Sequence, residues 1–400
     1  MKKLLKKLLE ERTKRVLTIS VFSAMFLILI TISLQEFVIF QPEKGKSVTW
    51  GNLLRKSLLK SEPNTDPKRF LFVDTSTSNA LIQSSEPPFQ NSVITDRGKL
   101  ATFLGFLKDD PQYTYIIADI VFADPSESDS LLENVIDSLP RFITCSYTNN
   151  QEMVVNPIFD MDCGLCDIQK LDGDFVQYKL RSENGEKALP LKVFEAMPSS
   201  TIHKPWGINL NSFVLNYRIT KHDLTSRYTL TDLCSLVFLG KDVVKDMANN
   251  RIIVIGDFKA SDKVSTSIGE VPGPLVLTNV ILALENKDNI LTFFKLSILF
   301  LGFFFFSFVA IYPENLMKKV FSKISDKNLL IKVTIEGLEF GLLIGLCSII
   351  YFAVFNIYLN FIYLGTYFFT LNYISRNFRS IKFKIRGLLP WRPRRMLKSN

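Results

Sequence analysis

The sequence predicts an α/β domain, with a largely parallel sheet flanked by helices, attached to a four-helix transmembrane region. Two observations carry this prediction. Long apolar stretches lie near both ends of the chain, and between them β-branched and aromatic runs alternate with segments of helical periodicity. Alternating strands and helices are typical of a parallel sheet covered by helices. The chain is 47% hydrophobic, with 34 Phe, which is more apolar than an ordinary soluble enzyme.

Three apolar stretches supply the transmembrane prediction. Residues 16–40 and 291–312 each contain a single charged residue, and residues 333–374 contain two. One crossing takes about 20 apolar residues, so the third stretch is predicted to form a helical hairpin that turns near Asn356 and Asn360. The first stretch is longer than the core of a signal peptide, and no small-residue cleavage site follows it. It is therefore predicted to be an uncleaved anchor.

Charge predicts the orientation of these four crossings. Residues 1–15, 313–332 and 375–400 are short and contain seven, five and nine Lys or Arg respectively. Such segments stay in the cytoplasm, so both termini are predicted to be cytoplasmic in a bacterial inner membrane. Residues 41–290 are then periplasmic, and their 26 basic and 32 acidic residues give a net charge of −6. The basic segments are expected to contact anionic membrane lipids, and no nucleic-acid partner is expected.

The periplasmic segment is predicted to consist of alternating strands and helices. Buried strands are indicated by apolar runs, and helices by apolar residues three or four positions apart. Between residues 147 and 212 the pattern predicts no regular element. Strands are predicted at 69–74, 113–123, 141–146, 213–219 and 251–257, and helices at 99–108, 129–139 and 273–286.

The segment 251–279 has the arrangement of strand, turn and helix N-terminus that binds phosphates. It lacks the Gly-x-x-x-x-Gly-Lys-Ser/Thr loop and its lysine. It also lies on the predicted periplasmic side, where ATP is scarce. The sequence therefore excludes a nucleotide site there, and no cofactor is predicted.

Aspartates follow the predicted strands or lie near their carboxyl ends. Ligands of an open α/β sheet bind at that edge, so these carboxylates are candidate ligand-binding residues for a cation or a basic ligand. The alternative is that they form turns and cap helices, which is the commoner role of Asp. The six candidates are Asp74, Asp119, Asp124, Asp129, Asp257 and Asp262.

Four cysteines, Cys145, Cys163, Cys166 and Cys234, lie in the periplasmic segment. In an oxidising compartment we expect a structural disulfide among them, and the sequence leaves the pairing open. Cys163 and Cys166 form a Cys-x-x-Cys motif, for which thiol-redox activity is the alternative. Its flanks are acidic and loop-like, and nearby acids raise the pKa of a thiol, which disfavours redox activity. No metal site is predicted, because zinc would need further ligands and the chain has two histidines.

The third predicted membrane helix has two further features. Gly337, Gly341 and Gly345 recur every four residues, so they line one face and allow another helix to approach closely. That helix is either the fourth helix of the same chain or belongs to a partner or a second copy. Glu336 and Glu339 lie within the apolar stretch near its cytoplasmic end, where carboxylates are costly and often functional. They are candidate partner contacts.

Five blocks of the periplasmic segment resemble a known sensory family. The blocks "ITDRGKLATFLGFL", "IIADIVFADPSESDSLL", "FVLNYRI", "RIIVIGDF" and "SIGEVPGPLVLTNVILALEN" occur in the order and spacing of the type-two CHASE domain, a cyclase- and histidine-kinase-associated extracellular sensory domain. The resemblance covers roughly residues 65–290. It implies that the domain senses an envelope signal, and such domains usually lie between one N-terminal and three C-terminal membrane helices.

The chain departs from that family in its output. After the last apolar stretch only the basic residues 375–400 follow, and there is no histidine-kinase, cyclase or protein-kinase motif. We therefore expect a non-enzymatic inner-membrane sensory protein that passes its signal to a separate output protein. The alternative is a structural or scaffold subunit of a bacterial cell-envelope complex. Expected partners are other envelope or inner-membrane proteins, or a second copy as a homodimer.

Overall fold

The structure is a computed structural model, and it divides into two compact units. The sheet unit consists of Gln35–Thr292 and Tyr351–Tyr358, and the helical unit of Met1–Leu34, Phe293–Ile350 and Leu359–Asn400. The structure describes residues 2–36, 42–55, 66–83, 91–109, 112–149, 153–166, 177–197, 206–224, 226–236, 240–259, 263–266, 268–311 and 329–388.

The described residues form strands and helices throughout the chain. The strands are β1 Phe70–Asp74, β2 Asn79–Gln83, β3 Asn91–Thr95, β4 Tyr115–Ala118, β5 Phe142–Thr148, β6 Val154–Val155, β7 Cys163–Leu165, β8 Gln177–Lys179, β9 Gly207–Asn209, β10 Ser212–Val214, β11 Arg227–Thr229, β12 Ile252–Gly256, β13 Lys263–Thr266, β14 Gly269–Pro272 and β15 Ile290–Thr292. The helices are α1 Lys2–Glu36, α2 Pro42–Leu54, α3 Arg97–Gly105, α4 Asp129–Ile136, α5 Leu189–Ala196, α6 Leu230–Ser235, α7 Lys241–Ala248, α8 Gly273–Glu285, α9 Phe293–Ile311, α10 Leu329–Phe355 and α11 Phe361–Leu388.

The central sheet of the sheet unit is mixed and mostly parallel. Strands β11, β1, β12, β4 and β5 lie side by side in that order, and each neighbouring pair is parallel. Strand β7 also runs parallel to β5, whereas β6 pairs antiparallel with its end. Strands β1, β4 and β12 are buried along their whole length. This burial on both faces explains why their sequences are continuously apolar instead of alternating.

Helices cover both faces of this sheet. Phe70 and Phe72 of β1 belong to a core formed with α5 and α8, whereas Leu71 and Val73 belong to a second core formed with α3, α4, α6 and α7. The alternation follows from the two-residue period of a strand. Helix α8 is buried over residues 273–284, and its sequence is accordingly apolar on all sides.

The polar Asn279 of this buried helix holds the chain that follows β10. Its Oδ1 accepts hydrogen bonds from the amides of Arg218 (2.6 Å) and Ile219 (2.9 Å), and its Nδ2 donates to the carbonyl of Ile219 (2.8 Å). Buried polar groups need such partners. Asn279, which lies within the block SIGEVPGPLVLTNVILALEN, therefore has a structural role.

The predicted sheet, largely parallel and flanked by helices, is confirmed, but one predicted strand is wrong. Residues 213–219 do not form a strand of the central sheet. Residues 212–214 are β10, which pairs antiparallel with β8, and the following residues contact Asn279. The strand beside β1 at the edge of the central sheet is instead β11, which has three residues and runs parallel to β1. The segment 147–212, where no element is predicted, contains β6 to β9 and α5.

Two helical stretches among the described residues are long and apolar enough to cross a membrane. They are Thr13–Leu34 within α1 and Phe293–Ile311, which is α9. Helices α10 and α11 occupy the predicted hairpin, and the break between them lies at the two asparagines that the sequence indicates. Asn356 follows α10 with a φ of 58°, a left-handed conformation that Asn tolerates. Asn360 caps α11, since its Oδ1 accepts a hydrogen bond from the amide of Tyr363 at 3.0 Å.

Polar and small residues connect the helices of the helical unit. Ser23 Oγ in α1 lies 2.7 Å from Ser307 Oγ in α9 and 2.8 Å from the Tyr367 hydroxyl in α11. A Cβ added to Gly365 of α11 would lie 3.7 Å from the Cα of Gly341 in α10. The sequence leaves open whether the face of Gly337, Gly341 and Gly345 contacts the same chain or a partner. The structure places the fourth helix of the same chain beside Gly341.

The remaining residues of that face lie along α10. A Cβ added to Gly345 would lie 3.9 Å from the ring of Phe361, again in the same chain. Glu336, Gly337 and Glu339 fall in the first half of α10, where the side chains lie outside the described part of the structure. The roles predicted for these three residues therefore stay predictions.

Candidate ligand-binding cavity

A cavity of about 410 Å³ opens at the carboxyl ends of the parallel strands. Its wall includes Thr75 after β1, Asp119 after β4 and Asp257 after β12. Strands β1, β12 and β4 are adjacent and parallel, so the residues that follow them reach the same edge, where open α/β sheets bind ligands. The volume is in the range of pockets that hold small molecules.

Backbone hydrogen bonds hold the strand ends in this position. The amide of Thr75 donates to the carbonyl of Gly256 at 2.9 Å, and the amide of Asp119 donates to that of Ile255 at 2.7 Å. Gly256 has no room for a side chain, since a Cβ there would lie 2.5 Å from Pro274 Cγ. The Gly-Asp and Pro-Gly-Pro sequences, which suggest a phosphate site at first sight, therefore allow β12 to pack closely against the start of α8.

Three of the six candidate aspartates line the cavity, namely Asp119, Asp124 and Asp257. Asp119 and Asp257 are half-buried, and Asp124 is exposed. Asp257 also forms a turn, because its Oδ1 accepts a hydrogen bond from the amide of Lys259 at 2.7 Å. Carboxylates gathered in a cleft with low-dielectric walls raise the local concentration of cations.

The structure corrects the prediction that Asp74 binds a ligand. Asp74 is buried in the core and is not part of the cavity wall. Its Oδ1 accepts hydrogen bonds from the amides of Ser76 (3.0 Å) and Phe258 (3.3 Å). Its Oδ2 lies 3.9 Å from Lys259 Nζ. Asp74 thus ties together the segments that follow β1 and β12. Asp262 lies outside the described residues.

Asp129 also has a structural role, which corrects its prediction as a ligand-binding residue. It forms an ion pair with Arg97, and its Oδ2 accepts a hydrogen bond from the amide of Ser126 at 2.8 Å. The guanidinium of Arg97 also donates to the carbonyl of Asp124. These contacts fix the loop between β4 and α4, which is the commoner role of Asp beside a helix start.

Arg97 is a wall residue of the cavity that the sequence does not indicate. It is only 3% exposed, and its guanidinium carbon lies 5.4 Å and 5.5 Å from the ring centres of Phe122 and Phe159. Aromatic faces and a carboxylate together stabilise a buried guanidinium. An Arg in the first turn of a helix ordinarily faces solvent, so neither its spacing nor its neighbours in sequence could reveal this position.

The structure contains one disulfide among the described residues, between Cys145 of β5 and Cys166 after β7. Their Cα atoms are 5.6 Å apart, and both residues line the cavity. The bond joins the central sheet to the segment that follows it. Cys163 and Cys234 are free thiols, which corrects their status as disulfide candidates.

The Cys-x-x-Cys motif does not form a disulfide of its own, and strand geometry explains why. Cys163 lies in β7 and Cys166 follows it directly. Residues three apart in an extended strand have Cα atoms about 10 Å apart, whereas a disulfide requires a separation below about 7 Å. Burial raises the pKa of the Cys163 thiol, and Asp162 adds to the increase. Both observations disfavour thiol-redox chemistry at this motif.

Asp119 lies beside the disulfide, with its Oδ1 3.0 Å from Cys145 Sγ. One ligand atom each from Asp119, Cys145 and Cys166 lie within 4.8 Å of one another. The two sulfurs are bonded to each other, so neither is the thiolate that a metal requires. The three residues therefore do not form a metal site, and the disulfide is a part of the cavity wall.

A second notable feature of the sheet unit is the segment Tyr351–Tyr358, which we call the docked turn. Phe352 and Tyr358 form a buried apolar cluster with Val48 and Val214. Arg55 donates hydrogen bonds to the carbonyls of residues 353 (2.8 Å) and 352 (3.0 Å), at the end of α10, where a cation interacts favourably with the helix dipole.

The docked turn is also held by Asn356, the residue that follows α10. The Nδ2 of Asn356 donates to the carbonyl of Val214 at 3.1 Å. Gly51 of α2 permits the approach, because a Cβ there would lie 2.3 Å from Phe352 Cδ1. Burial lowers the pKa of the Arg55 guanidinium, which nevertheless stays charged at any physiological pH.

No protein-family model, curated protein or solved structure matches this chain. The function is therefore inferred from the cavity, the charges around it and the apolar helices. The resemblance to the type-two CHASE domain stays a prediction.

Proposed function

We propose that this chain is a non-enzymatic sensory protein of the bacterial inner membrane. Its periplasmic sheet unit binds a small cationic ligand and passes the signal through the membrane helices to a separate output protein. The observation that carries the proposal is the acidic cavity at the carboxyl edge of the parallel sheet. The resemblance to the type-two CHASE domain supports the same class of function.

Length, composition and charge support the membrane placement. Helices α1 and α9 contain stretches able to cross a membrane, and we assign two further crossings to α10 and α11. The basic segments 1–15, 313–332 and 375–400 then lie in the cytoplasm. The acidic sheet unit is periplasmic in this arrangement, which is an oxidising compartment where a disulfide such as Cys145–Cys166 persists.

The wall of the cavity indicates the class of ligand. The carboxylates of Asp119, Asp124 and Asp257 line the cavity. Arg97 is the basic residue among the lining residues, so acidic side chains outnumber basic side chains in the wall. A bare metal ion would fill only a small part of 410 Å³. The wall is apolar between the carboxylates, with Val93, Ile94, Val121, Phe122 and Leu277. An organic amine matches this wall, because its ammonium groups can pair with the carboxylates and its carbon chain can contact the apolar side chains.

The route of the signal follows from the chain segments that join the two units. We assign coupling to the connections after residues 40 and 286 and to the docked turn. The docked turn ends α10 and precedes α11, while its side chains contact α2 and the end of β10. A ligand shifts such an arrangement only through its different affinities for two states. The output then depends on another protein that recognises the helices or the basic loops.

The test is thermal unfolding of the full chain in lipid nanodiscs with putrescine, spermidine and lysine as probes. A bound amine stabilises the folded state, by about 2.7 kcal/mol at a concentration 100 times its Kd. The double variant Asp119→Asn/Asp257→Asn should lose this shift because it removes charge from the wall. Asp160→Asn, an exposed aspartate outside the cavity wall, is the matched control. A wild-type shift that persists in the double variant would place the ligand elsewhere.

The second candidate function is a scaffold subunit of a cell-envelope complex. It is favoured by the hairpin of β2 and β3, where Leu81 pairs with Val93 and the two side chains are 72% and 63% exposed. Paired apolar side chains exposed on a two-stranded hairpin are typical of a protein contact. Cross-linking and mass spectrometry of a mild-detergent pull-down separate the two functions. Envelope proteins recovered at a constant ratio and cross-linked to the hairpin would identify a scaffold.

A further inference from the structure

A short antiparallel ribbon formed by β9 and β15 stands at the start of the apolar helix α9. Gly207 pairs with Thr292, Ile208 with Leu291 and Asn209 with Ile290. Because the strands are antiparallel, Trp206, which precedes Gly207, and α9, which follows Thr292, leave the ribbon at the same end. Trp206 is therefore next to the pair Gly207–Thr292, and Thr292 is bonded directly to the first residue of a helix that is apolar enough to cross a membrane.

The aromatic residues at this end of the ribbon are strongly exposed. Trp206 is 93% exposed, which is the highest value among the large apolar side chains of the described residues. Phe293 and Phe294, the first residues of α9, are 76% and 66% exposed. Soluble proteins rarely leave large aromatic groups together in water. These residues therefore indicate a surface that is covered in the native setting.

The chemistry of these residues favours lipid over protein as the covering material. Trp is enriched at membrane–water interfaces, where its apolar ring contacts acyl chains and its N–H reaches the polar headgroups. Lys295 follows Phe294 in the first turn of α9, and a Lys at that position extends its charged end toward the interface. The ribbon also continues directly into α9, so any bilayer that α9 crosses begins where the ribbon ends.

We propose that Trp206 is an interfacial anchor that inserts into the headgroup layer of the outer leaflet and fixes the depth at which α9 enters the bilayer. The proposal rests on the proposed function in one respect, namely that α9 crosses the membrane. The anchor binds phospholipid at the level of the headgroups. Gly207 is paired with Thr292, so Trp206 adjoins a residue that is bonded directly to Phe293, the first residue of α9.

The test uses the fluorescence of Trp206 in the full chain. The chain contains Trp50, Trp206 and Trp391, so the variant Trp50→Phe/Trp391→Phe leaves Trp206 as the only tryptophan. It is reconstituted in nanodiscs of phosphatidylcholine, with or without bromine on the acyl chain near the headgroup. The control replaces all three tryptophans by Phe and adds Glu183→Trp, at a side chain that is 91% exposed.

The proposal predicts that Trp206 loses most of its fluorescence in brominated nanodiscs and emits at shorter wavelength than the control. Bromine at the far end of the acyl chain should quench it less, and the control should respond to neither lipid. Emission from Trp206 at the wavelength of a water-exposed tryptophan, without quenching, would overturn the proposal. So would shielding that appears only after addition of a membrane extract, since that would identify a protein partner.

Flotation of the same reconstituted chain separates this inference from the proposed function. If the chain is removed from liposomes by alkaline carbonate, α9 does not cross the bilayer and both ideas fail. If the chain stays in the liposomes and Trp206 is unquenched, the interfacial anchor alone is wrong.

Discussion

At the scale of single residues, the side chains around the cavity have two different roles. Asp119 and Asp257 present carboxylates to the cavity, whereas Arg97, Asp129 and Asp74 fix the loops that shape it. The distinction gives different expectations for substitution. Replacing Asp119 and Asp257 by Asn, which keeps a side-chain oxygen that can accept the hydrogen bond from the Lys259 amide, should lower ligand affinity. Changes at the second group should destabilise the domain.

Arg97→Ala should lower the free energy of unfolding by about 3–5 kcal/mol, because it removes the buried partner of the half-buried Asp129. It also removes the cation that contacts the rings of Phe122 and Phe159. The measurement is chemical unfolding of the full chain in detergent. Lys99→Ala is the control, since the Lys99–Asp96 pair is 3.7 Å long and partly exposed and such pairs contribute at most about 1 kcal/mol. Equal losses in both variants would contradict the structural role of Arg97.

The double variant Cys145→Ser/Cys166→Ser should lose about 3 kcal/mol of stability, since the bond closes a loop with a sequence separation of 21. Cys163→Ser/Cys234→Ser should change stability little, because both thiols are free. Burial raises the pKa of each of these thiols, so both should react slowly with iodoacetamide at neutral pH. A peptide map that links Cys163 to Cys166 would contradict the pairing.

The sequence predicts some of these residues and not others for a physical reason. Asp119 and Asp257 immediately follow continuous apolar strands, so the edge of the sheet could be anticipated. Arg97 acquires its role only when the loop before α4 folds over it, and no local pattern encodes that contact. The cysteine pairing depends in the same way on the parallel contact of β5 and β7, which brings together residues far apart in sequence.

At the scale of elements, the docked turn is the part of the sheet unit that we connect with signalling. Gly51→Ala should loosen it, because the new methyl group would lie 2.3 Å from Phe352 Cδ1. Amide hydrogen exchange of residues 351–358 should become faster in the full chain in nanodiscs. Gly105→Ala, at a helical glycine with no atom within 4 Å of the added Cβ, should leave that exchange unchanged. Unchanged exchange in both variants would show that Gly51 does not hold the turn.

The elements that the sequence predicts correctly are the ones with long, uniform patterns. Strands β1, β4 and β12 show continuous burial, and α8 is apolar all round. Strands of two or three residues, such as β6 and β11, are too short to give a period. The predicted strand 213–219 is apolar because Phe213, Leu215 and Ile219 belong to a buried core. Burial of this kind gives the same apolar pattern in a strand and in an irregular segment.

At the scale of the whole molecule, charge and hydropathy are segregated along the chain. The basic residues flank the apolar helices, whereas residues 41–290 have a net charge of −6. This segregation can be predicted from the sequence alone, because it depends on composition and not on contacts between distant residues. The division into two units and the assignment of the docked turn to the sheet unit depend on packing, so the sequence does not predict them.

Hydrogen exchange of the full chain in nanodiscs, with and without an amine that raises its melting temperature, tests the sensory function most directly. We predict slower exchange at residues 119–124 of the cavity, together with changed exchange at the docked turn. The double variant Asp119→Asn/Asp257→Asn should show neither effect. Protection confined to the cavity, with unchanged exchange at residues 351–358, would contradict signal transfer through the docked turn and describe a binding domain without a sensory output.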